Sequence, residues 1–448
     1  MPESATRAVM PVNWYYKPVF GWPVVLAAFV GMFGNVGPLI YASFAFLVQQ
    51  FESEFGWARS DVTLAISLLT FSSAVVHPAY GRLVDRFGVK WTMIPSLILM
   101  GLVLMSVPLF LTKVWHLWAA FIAVAVLGVA NNTLPFIRLA ATWFDKRRGL
   151  MIGIVASGTG LGLAILPKIT ASVVTTFGWQ GGFVWYGLFI IFFTSLIMWL
   201  CVVDKPEDVG AKPDGAPVRH GEPETDQRGM DGNEALKTRG FWTLALGILF
   251  ASFALWGITN QMALLLGDRG MTPGNAALVA TVTGLTMSVA RLLIGYLLDR
   301  FFAPYVAAAV FVLTAVGFTV LATAGTSPGV YVAGALLGIG LGAEIELIGY
   351  MVSRYFGFRA FGTIYGSVFV GFLLGTSGGP YLYARAQELL GSYDPALWFM
   401  VGLMTVTAVM FGTMGPYDQY KDRFVGGVPP RPDEPAAGGA EAAVATAQ

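Results

Sequence analysis

In the stretch LTMSVARLLIGYLL, residues 285–298, Arg291 is the one charged side chain. A guanidinium stays charged at any physiological pH. Inside a long apolar helix that charge costs at least about 2.5 kcal/mol. Arg291 lies eight residues before Asp299, which places it about 12 Å from the end of its helix at 1.5 Å per residue, too deep for easy escape to the interface. The chemistry it suits is recognition of a carboxylate, whose two oxygens match the planar guanidinium fork. A structural ion pair is the alternative. Glu344 and Glu346 stand in GIGLGAEIELIGYMVSRYF, and Glu346 lies eight residues before Arg354, again about 12 Å deep. Burial favours the protonated form of a lone carboxyl, and a neighbouring guanidinium favours the ionised form. If one of these glutamates partners Arg291, an incoming anion that takes over the arginine would cause the glutamate to take up a proton. A permanent salt bridge, or a glutamate bonded to backbone, is the alternative.

Other polar residues fall in apolar surroundings. Arg138, in NNTLPFIRLAATWF, is five residues from Trp143. Its tip can reach an interface, so a gate or interface ion pair is favoured over a substrate contact. His77, in VVHPAYGR, could relay protons, but packing accounts for it as well. Lys168 follows Pro167 and reads as a snorkelling or gate residue.

The elements that must position these residues are long apolar segments at 19–48, 61–81, 91–112, 115–140, 149–176, 183–203, 240–267, 276–298, 304–325, 329–353, 362–384 and 395–415. Each is long enough to cross a bilayer core, which takes about 20 residues. The first is too long for a cleaved signal peptide and is read as a membrane helix. A polar segment at 204–238, rich in Pro, Gly and mixed charge, separates the first six from the last six and predicts a flexible linker. Residues 1–18 and 417–448 read as tails, the latter as disordered. The six-helix units are expected at 19–203 and 239–416. Twelve Lys and Arg residues in the short loops and flanks, Arg82, Arg86, Lys90 and Lys17 among them, fall on one side, against four on the other. Basic loops stay inside, so both termini and the linker are expected in the cytoplasm, across a cell membrane, with a bacterial inner membrane as the expected setting.

Composition agrees: the chain of 448 residues is 56% hydrophobic and 12% charged, where soluble domains carry about 25% charged residues. The near balance of 27 basic and 26 acidic residues leaves no basic surface for nucleic acid. The single cysteine, Cys201, excludes an internal disulfide. GTGLG at 158–162 and GIGLG at 338–342 lie inside apolar helices without the strand a dinucleotide site requires, so helix packing explains them. The three histidines and one cysteine are scattered, with no metal-ligand spacing. No enzyme constellation, cofactor or metal site is expected.

The halves repeat. GRLVDRF begins at Gly81 and GYLLDRF at Gly295; WFDKRRG begins at Trp143 and YFGFRAFG at Tyr355. Beyond these, Gly149, Gly153, Gly158 and Gly162 match Gly362, Gly366, Gly371 and Gly375, each pair 213 residues apart. A duplicated six-helix unit is the layout of a two-bundle transporter with its site near the midplane between the halves.

GRLVDRFGVK resembles the loop signature between helices 2 and 3 of the major facilitator superfamily. FGWPVVLAAF and WFDKRRGLMIGIVASGTGLG resemble the helix 1 entrance and helix 4–5 signature of the monocarboxylate transporters, a pattern that the oxalate/formate antiporters share. The resemblance covers roughly residues 14 to 415. It implies an all-α membrane protein of twelve transmembrane helices in two six-helix bundles, working by alternating access on small organic anions, as a monomer. Arg291 holds the position of the family's helix 8 arginine. The animal transporters place an aspartate one turn earlier, where this chain has Met287, and a lysine after the helix 1 proline, where Pro38 is followed by Leu39. The antiporters' helix 11 lysine has no counterpart in 362–384. The arginine's balancing charge is therefore sought on another helix, at Glu346 or Glu344.

The same resemblance makes helices 1, 4, 7 and 10 the cavity walls. Asn35, Asn131, Asn132, Asn260, Gln261 and Tyr350 become candidate lining residues, with plain interhelical bonding as the alternative. Gly31, Gly34, Gly37 and Pro38 should let helix 1 bend. Asp85 and Arg86 are gate candidates, the aspartate docking at the start of helix 11, where a carboxylate is electrostatically favoured. One firm buried cation suits one carboxylate. The expectation is proton-coupled transport of a small monocarboxylate such as lactate or pyruvate. Exchange of organic anions, or a membrane sensor that binds a carboxylate without moving it, are the other readings.

Overall fold

The structure is a computed structural model that describes residues 21–215 and 229–424. Among these residues, twelve helical segments cross the molecule. The first, α1, covers Trp22–Phe55. Next come α2 (Arg59–Phe87), α3 (Val89–Phe110) and α4, made of Val114–Leu127 and Thr133–Trp143. Then α5 and α6 occupy 148–177 and 179–201, separated by the single residue Gly178. Its φ of +70° lies in the left-handed region, where a glycine reverses the chain without a side-chain penalty. The second half holds α7 (Arg239–Asp268), α8 (Pro273–Arg300), α9 (Ala303–Thr323), α10 (Gly329–Tyr355), α11 (Phe361–Leu390) and α12 (Asp394–Gly412). Backbone groups in lipid must be satisfied within each segment, which is why apolar runs of this length fold as helices. The protein is a multi-pass membrane protein of two six-helix bundles.

Two helices are broken at mid-height. After Phe33, α1 passes through Gly34 into a π-helical turn at Gly37–Tyr41 before resuming at Phe44. Side chains take over the freed backbone groups. Asn131 donates to the Gly34 carbonyl (3.2 Å), Ser43 to the Pro38 carbonyl (3.1 Å), and Asn35 accepts from the Gly37 amide (3.1 Å). The bend expected from Gly and Pro is therefore present. In α4 the break falls at Val129–Asn131, a 3₁₀ turn, and Ser96 of α3 donates to the Leu127 carbonyl there.

The repeated glycines divide into two jobs. Gly149 and Gly153 of α5 face the backbone of α8, and a Cβ on Gly153 would lie 2.5 Å from the Arg291 carbonyl. Their counterparts Gly362 and Gly366 of α11 face α2, and a Cβ on Gly366 would lie 2.7 Å from the His77 carbonyl. These four join the bundles. The other four pack within one bundle: Gly158 and Gly162 against α1, Gly371 and Gly375 against α7. In α10, a Cβ on Gly342 would meet the Met287 carbonyl of α8 at 2.7 Å. Small residues allow such backbone approach where lipid supplies no hydrophobic drive.

The ends of the linker expected over 204–238 are seated on the helices, and its middle, 216–228, lies outside the described residues. Asp204 accepts from the Lys90 amide (2.7 Å) and Asp214 from the amides of Asp145 and Lys146 (3.1 and 2.8 Å). Met230 donates to the Phe356 carbonyl (2.8 Å), and Arg359 pairs with Asp231 (2.7 Å). Local carboxylates find exposed loop amides there, a match that composition does not report. The start of the expected C-terminal tail is also docked. Tyr417–Arg423 forms a 3₁₀ helix, and its tyrosine hydroxyls accept from the first amides of α9 and α7: Tyr417 from Ala303 and Tyr420 from Gly240, both 2.9 Å. These are helix-start donors with no intrahelical partner. The tails over 1–18, with Lys17, and 425–448 lie outside the described residues.

Candidate functional site between the bundles

Arg291 is 2% exposed, on the side of α8 that meets α5 and α10. Its Nη1 donates to the Ala156 carbonyl of α5 at 2.6 Å, so the guanidinium reaches from one bundle to the other. Its Nε has no hydrogen-bond partner among the described residues. No carboxylate lies within ion-pair distance of it there, so the direct glutamate partner considered from the sequence is not formed. The reason is visible in the two glutamates. Both are buried on α10. Glu344 is engaged by the Trp256 indole of α7, whose Nε1 donates at 2.9 Å. Glu346 has neither oxygen bonded to another of the described residues, although the Arg291 charge acts on both glutamates. A buried carboxyl without partners is costly, and the pairing of a cation on a backbone oxygen with a free carboxyl nearby leaves both able to take new partners.

On α11, Tyr365 is fully buried and its hydroxyl has no partner among the described residues. The charges of Glu346 and Arg291 both act on it. It belongs to a ladder of rings, Phe358, Phe361, Tyr365, Phe369 and Phe372, with successive centroids 5.6, 5.7, 5.8 and 4.9 Å apart. The ladder ends against Trp256 (6.2 Å from Phe372), the same indole that holds Glu344. His77 packs on Phe369 at 5.0 Å, its Nδ1 2.7 Å from the Ser73 carbonyl, in keeping with the packing reading.

The uncharged candidates divide. Asn35 and Asn131 serve the α1 break. The Asn131 Oδ1 is buried without a partner among the described residues. Asn132 begins the second segment of α4 in extended geometry, with no side-chain cap. Asn260 is exposed and donates to the Trp256 carbonyl of its own helix (2.9 Å), and Gln261 to the Pro380 carbonyl of α11 (3.5 Å). The ring of Tyr350 lies 5.2 Å from the Arg354 guanidinium, in the loop-level cluster described next. Lys168 is exposed.

A polar latch closes the face that carries the linker. Asp85 accepts from the amides of Gly362 and Thr363 at the start of α11 (both 2.8 Å), from the Thr363 hydroxyl (2.7 Å) and from Arg138 of α4. The docking position expected for Asp85 is thus occupied. Arg86 is exposed over the Phe87 ring at 5.1 Å, outside this network. Asp299 does in the second half what Asp85 does in the first, accepting from the amides of Gly149 and Leu150 at the start of α5 (2.7 and 2.9 Å). The repeat of GRLVDRF and GYLLDRF carried that signal, and sequence reading used Asp299 only as a depth marker. Between the two aspartates, Asp145 pairs with Arg148 (2.9 Å) and across the bundles with Arg354 (3.0 Å), and Arg148 donates to Ser353 (3.2 Å). Burial alone would raise the Asp145 carboxyl, but the Arg148 and Arg354 guanidiniums outweigh it and hold the group below its ordinary range. Among the described residues, the hydrogen bonds and ion pairs joining the bundles all lie in the half nearer the linker, with Arg291–Ala156 the deepest.

A separate groove of about 440 Å³ runs between α8, α9 and α10. Its walls, such as Val289, Leu293 and Leu313, are apolar and exposed on the outer surface. It faces lipid and lacks polar groups that would orient a polar ligand.

The chain matches the Major Facilitator Superfamily model over residues 24–380 and 244–433. It is 25% identical over 396 residues to a protein of Gibberella moniliformis named MFS-type transporter, covering 83% of this chain and 88% of that one. It is 25% identical over 289 residues to human Monocarboxylate transporter 11, covering 64% and 58%. Among solved structures, the Escherichia coli fucose:proton symporter FucP superposes with a TM-score of 0.66 at 15% identity, covering 87% of this chain and 97% of that one. With the duplicated bundles, the paired aspartate latches and the family match all in one chain, this protein belongs to the Major Facilitator Superfamily and is a membrane transporter of small molecules, not an enzyme.

Proposed function

We propose that the chain moves a small monocarboxylate of the lactate or pyruvate type by alternating access, together with protons, across a bacterial inner membrane with both termini and the linker in the cytoplasm. One observation carries the reading: Arg291 is buried between the bundles with its guanidinium resting on a backbone carbonyl, near a glutamate whose oxygens have no partner among the described residues. A carbonyl is a weaker acceptor for guanidinium than a carboxylate. A substrate carboxylate therefore displaces Ala156 and engages the cation. The substrate anion beside Glu346 then favours a proton on that glutamate, because two carboxylates sharing one site cannot both stay ionised cheaply. One cation matches one carboxylate. The likeness to a named monocarboxylate transporter supports the same substrate class.

The latch state is the outward-facing member of the cycle: the proposed cytoplasmic face is held shut by Asp85, Asp145 and Asp299, and substrate reaches Arg291 from the other side. The test is uptake of labelled lactate and pyruvate into proteoliposomes, with and without an imposed pH gradient, for the wild type and Arg291→Lys. Wild-type accumulation should follow the proton gradient. Arg291→Lys should lose about 10- to 100-fold of uptake, the scale of one or two charge-assisted hydrogen bonds. Normal transport by Arg291→Lys removes the bidentate argument. Flux that needs an internal counter-anion and ignores pH replaces symport with exchange. Binding without flux under any gradient makes the protein a sensor.

A further inference from the structure

We infer that the Tyr365 hydroxyl reads the oxygen on carbon 2 of the substrate, so that Tyr365 separates 2-hydroxy and 2-oxo acids from unsubstituted acids of the same length. The inference rests on the carboxylate reading of Arg291. Tyr365 stands in a ladder whose other four members are phenylalanines, and its ring stacks as theirs do. A fifth phenylalanine would fill the same space. The hydroxyl is therefore surplus to the packing, and it is fully buried without a hydrogen-bond partner among the described residues. Leaving a buried hydroxyl unmatched is destabilising, a penalty that a tyrosine at a purely structural position does not need.

Its surroundings define what would match it. Arg291 and Glu346 are its charged neighbours, from α8 and α10, and both act on the phenol. Neither is bonded to it. When Arg291 holds the carboxylate, carbon 2 is the next atom along the acid, and a buried donor that feels the charges of both Arg291 and Glu346 is placed to meet whatever carbon 2 carries. On a 2-oxo acid that is a carbonyl, which only accepts. On a 2-hydroxy acid it is a hydroxyl, which accepts and donates. A phenol O–H serves both. An unsubstituted acid offers C–H and leaves the phenol unmatched. Sites built to bond a substrate oxygen reject the analogue that lacks it far more strongly than apolar pockets reject a change of one methylene. The remaining ladder rings, Phe369 and Phe372, leave an apolar wall for a short tail.

The experiment is uptake of lactate, pyruvate and propionate by the full chain in proteoliposomes, wild type against Tyr365→Phe. Size-exclusion profiles check folding, and the ring stack is kept. Wild type should prefer lactate and pyruvate over propionate by at least about 10-fold. In Tyr365→Phe that preference should collapse, with propionate uptake changed less than about twofold. Equal loss for all three acids makes Tyr365 structural and overturns the inference, as does an unchanged ratio. The wild-type preference is itself a second arm that needs no variant: propionate handled as well as lactate also overturns it. A wild type that takes up none of the three acids, with or without a gradient, removes the carboxylate reading instead.

Discussion

At the scale of single residues, the site is a set of groups with unspent bonding capacity. Among the described residues, Arg291 has a free Nε, Glu346 two oxygens and Tyr365 a hydroxyl, all buried. Glu344 differs because the Trp256 indole already holds it. The two glutamates should therefore behave differently. Glu346→Gln should abolish accumulation driven by a pH gradient while leaving lactate counterflow within about threefold of wild type. Glu344→Gln keeps an acceptor for the indole and should reduce both activities by a similar, smaller factor. Paired counterflow and gradient-driven uptake decide this, and a Glu346→Gln protein that still accumulates substrate excludes Glu346 from coupling. Arg291 was legible in the sequence because a charge in an apolar helix stands out by type. Tyr365 was not, since an aromatic letter among aromatic letters carries no sign of which one lacks a partner. The Ala156 carbonyl was invisible for a different reason: backbone acceptors are common to every residue, and only folding selects one.

At the scale of helices, eight spaced glycines announced a duplication, and the fold assigns them two separate jobs. That division was beyond the sequence, because spacing along one helix does not say which neighbour each face meets. It leads to opposite outcomes for equivalent substitutions. Gly366→Ala places a Cβ 2.7 Å from the His77 carbonyl across the bundle boundary. It should push α2 and α11 apart, favour opening at the linker face, and leave the melting temperature within a few degrees of wild type. Gly375→Ala places a Cβ 2.6 Å from the Leu249 carbonyl within one bundle. It should lower the melting temperature by several degrees through overpacking, about 1–3 kcal/mol, with little change in conformational balance. Thermal scans in detergent, combined with alkylation of a cysteine placed at the buried Ile152 in a Cys201→Ser background, separate the two. Similar effects of both substitutions on both readouts would refute the division. Helix count, order and the α1 bend were readable from apolar length and from Gly and Pro. The α4 break at Val129–Asn131 was not, because only one glycine marks it.

At the scale of the whole molecule, the closed face is held by charges drawn from both bundles and by a linker seated on each. Asp145 is the pivot, paired with Arg148 and Arg354 and flanked by Asp214 of the linker on its amide. Its carboxyl is held below the ordinary range. A carboxylate depressed in this way contributes stability that is present above the ordinary aspartate value and is lost as pH falls through its lower native value. Asp145's share of the latch should thus persist from neutral pH down to about 4 and weaken only below that. Asp145→Asn should open it at neutral pH, raising alkylation of Ile152→Cys several-fold, and should flatten the acid response of that rate. An alkylation rate that already rises between pH 7 and 5 in the otherwise unaltered Ile152→Cys protein would place the sensitivity elsewhere.

The position of the deepest link between the bundles has a mechanical consequence. Arg291 and Ala156 meet about 12 Å in from the linker face of a hydrocarbon layer about 30 Å thick. Taken as a fulcrum in the substrate-free protein, that point divides the molecule into a short arm of about 12 Å and a long arm of about 18 Å. A rigid tilt that parts the latch by a given distance then swings the far rim through about one and a half times as much. Spin-label pairs at the two rims should report that ratio of displacements, and the far mouth should complete its travel while the aspartates have moved only far enough to lose their amides.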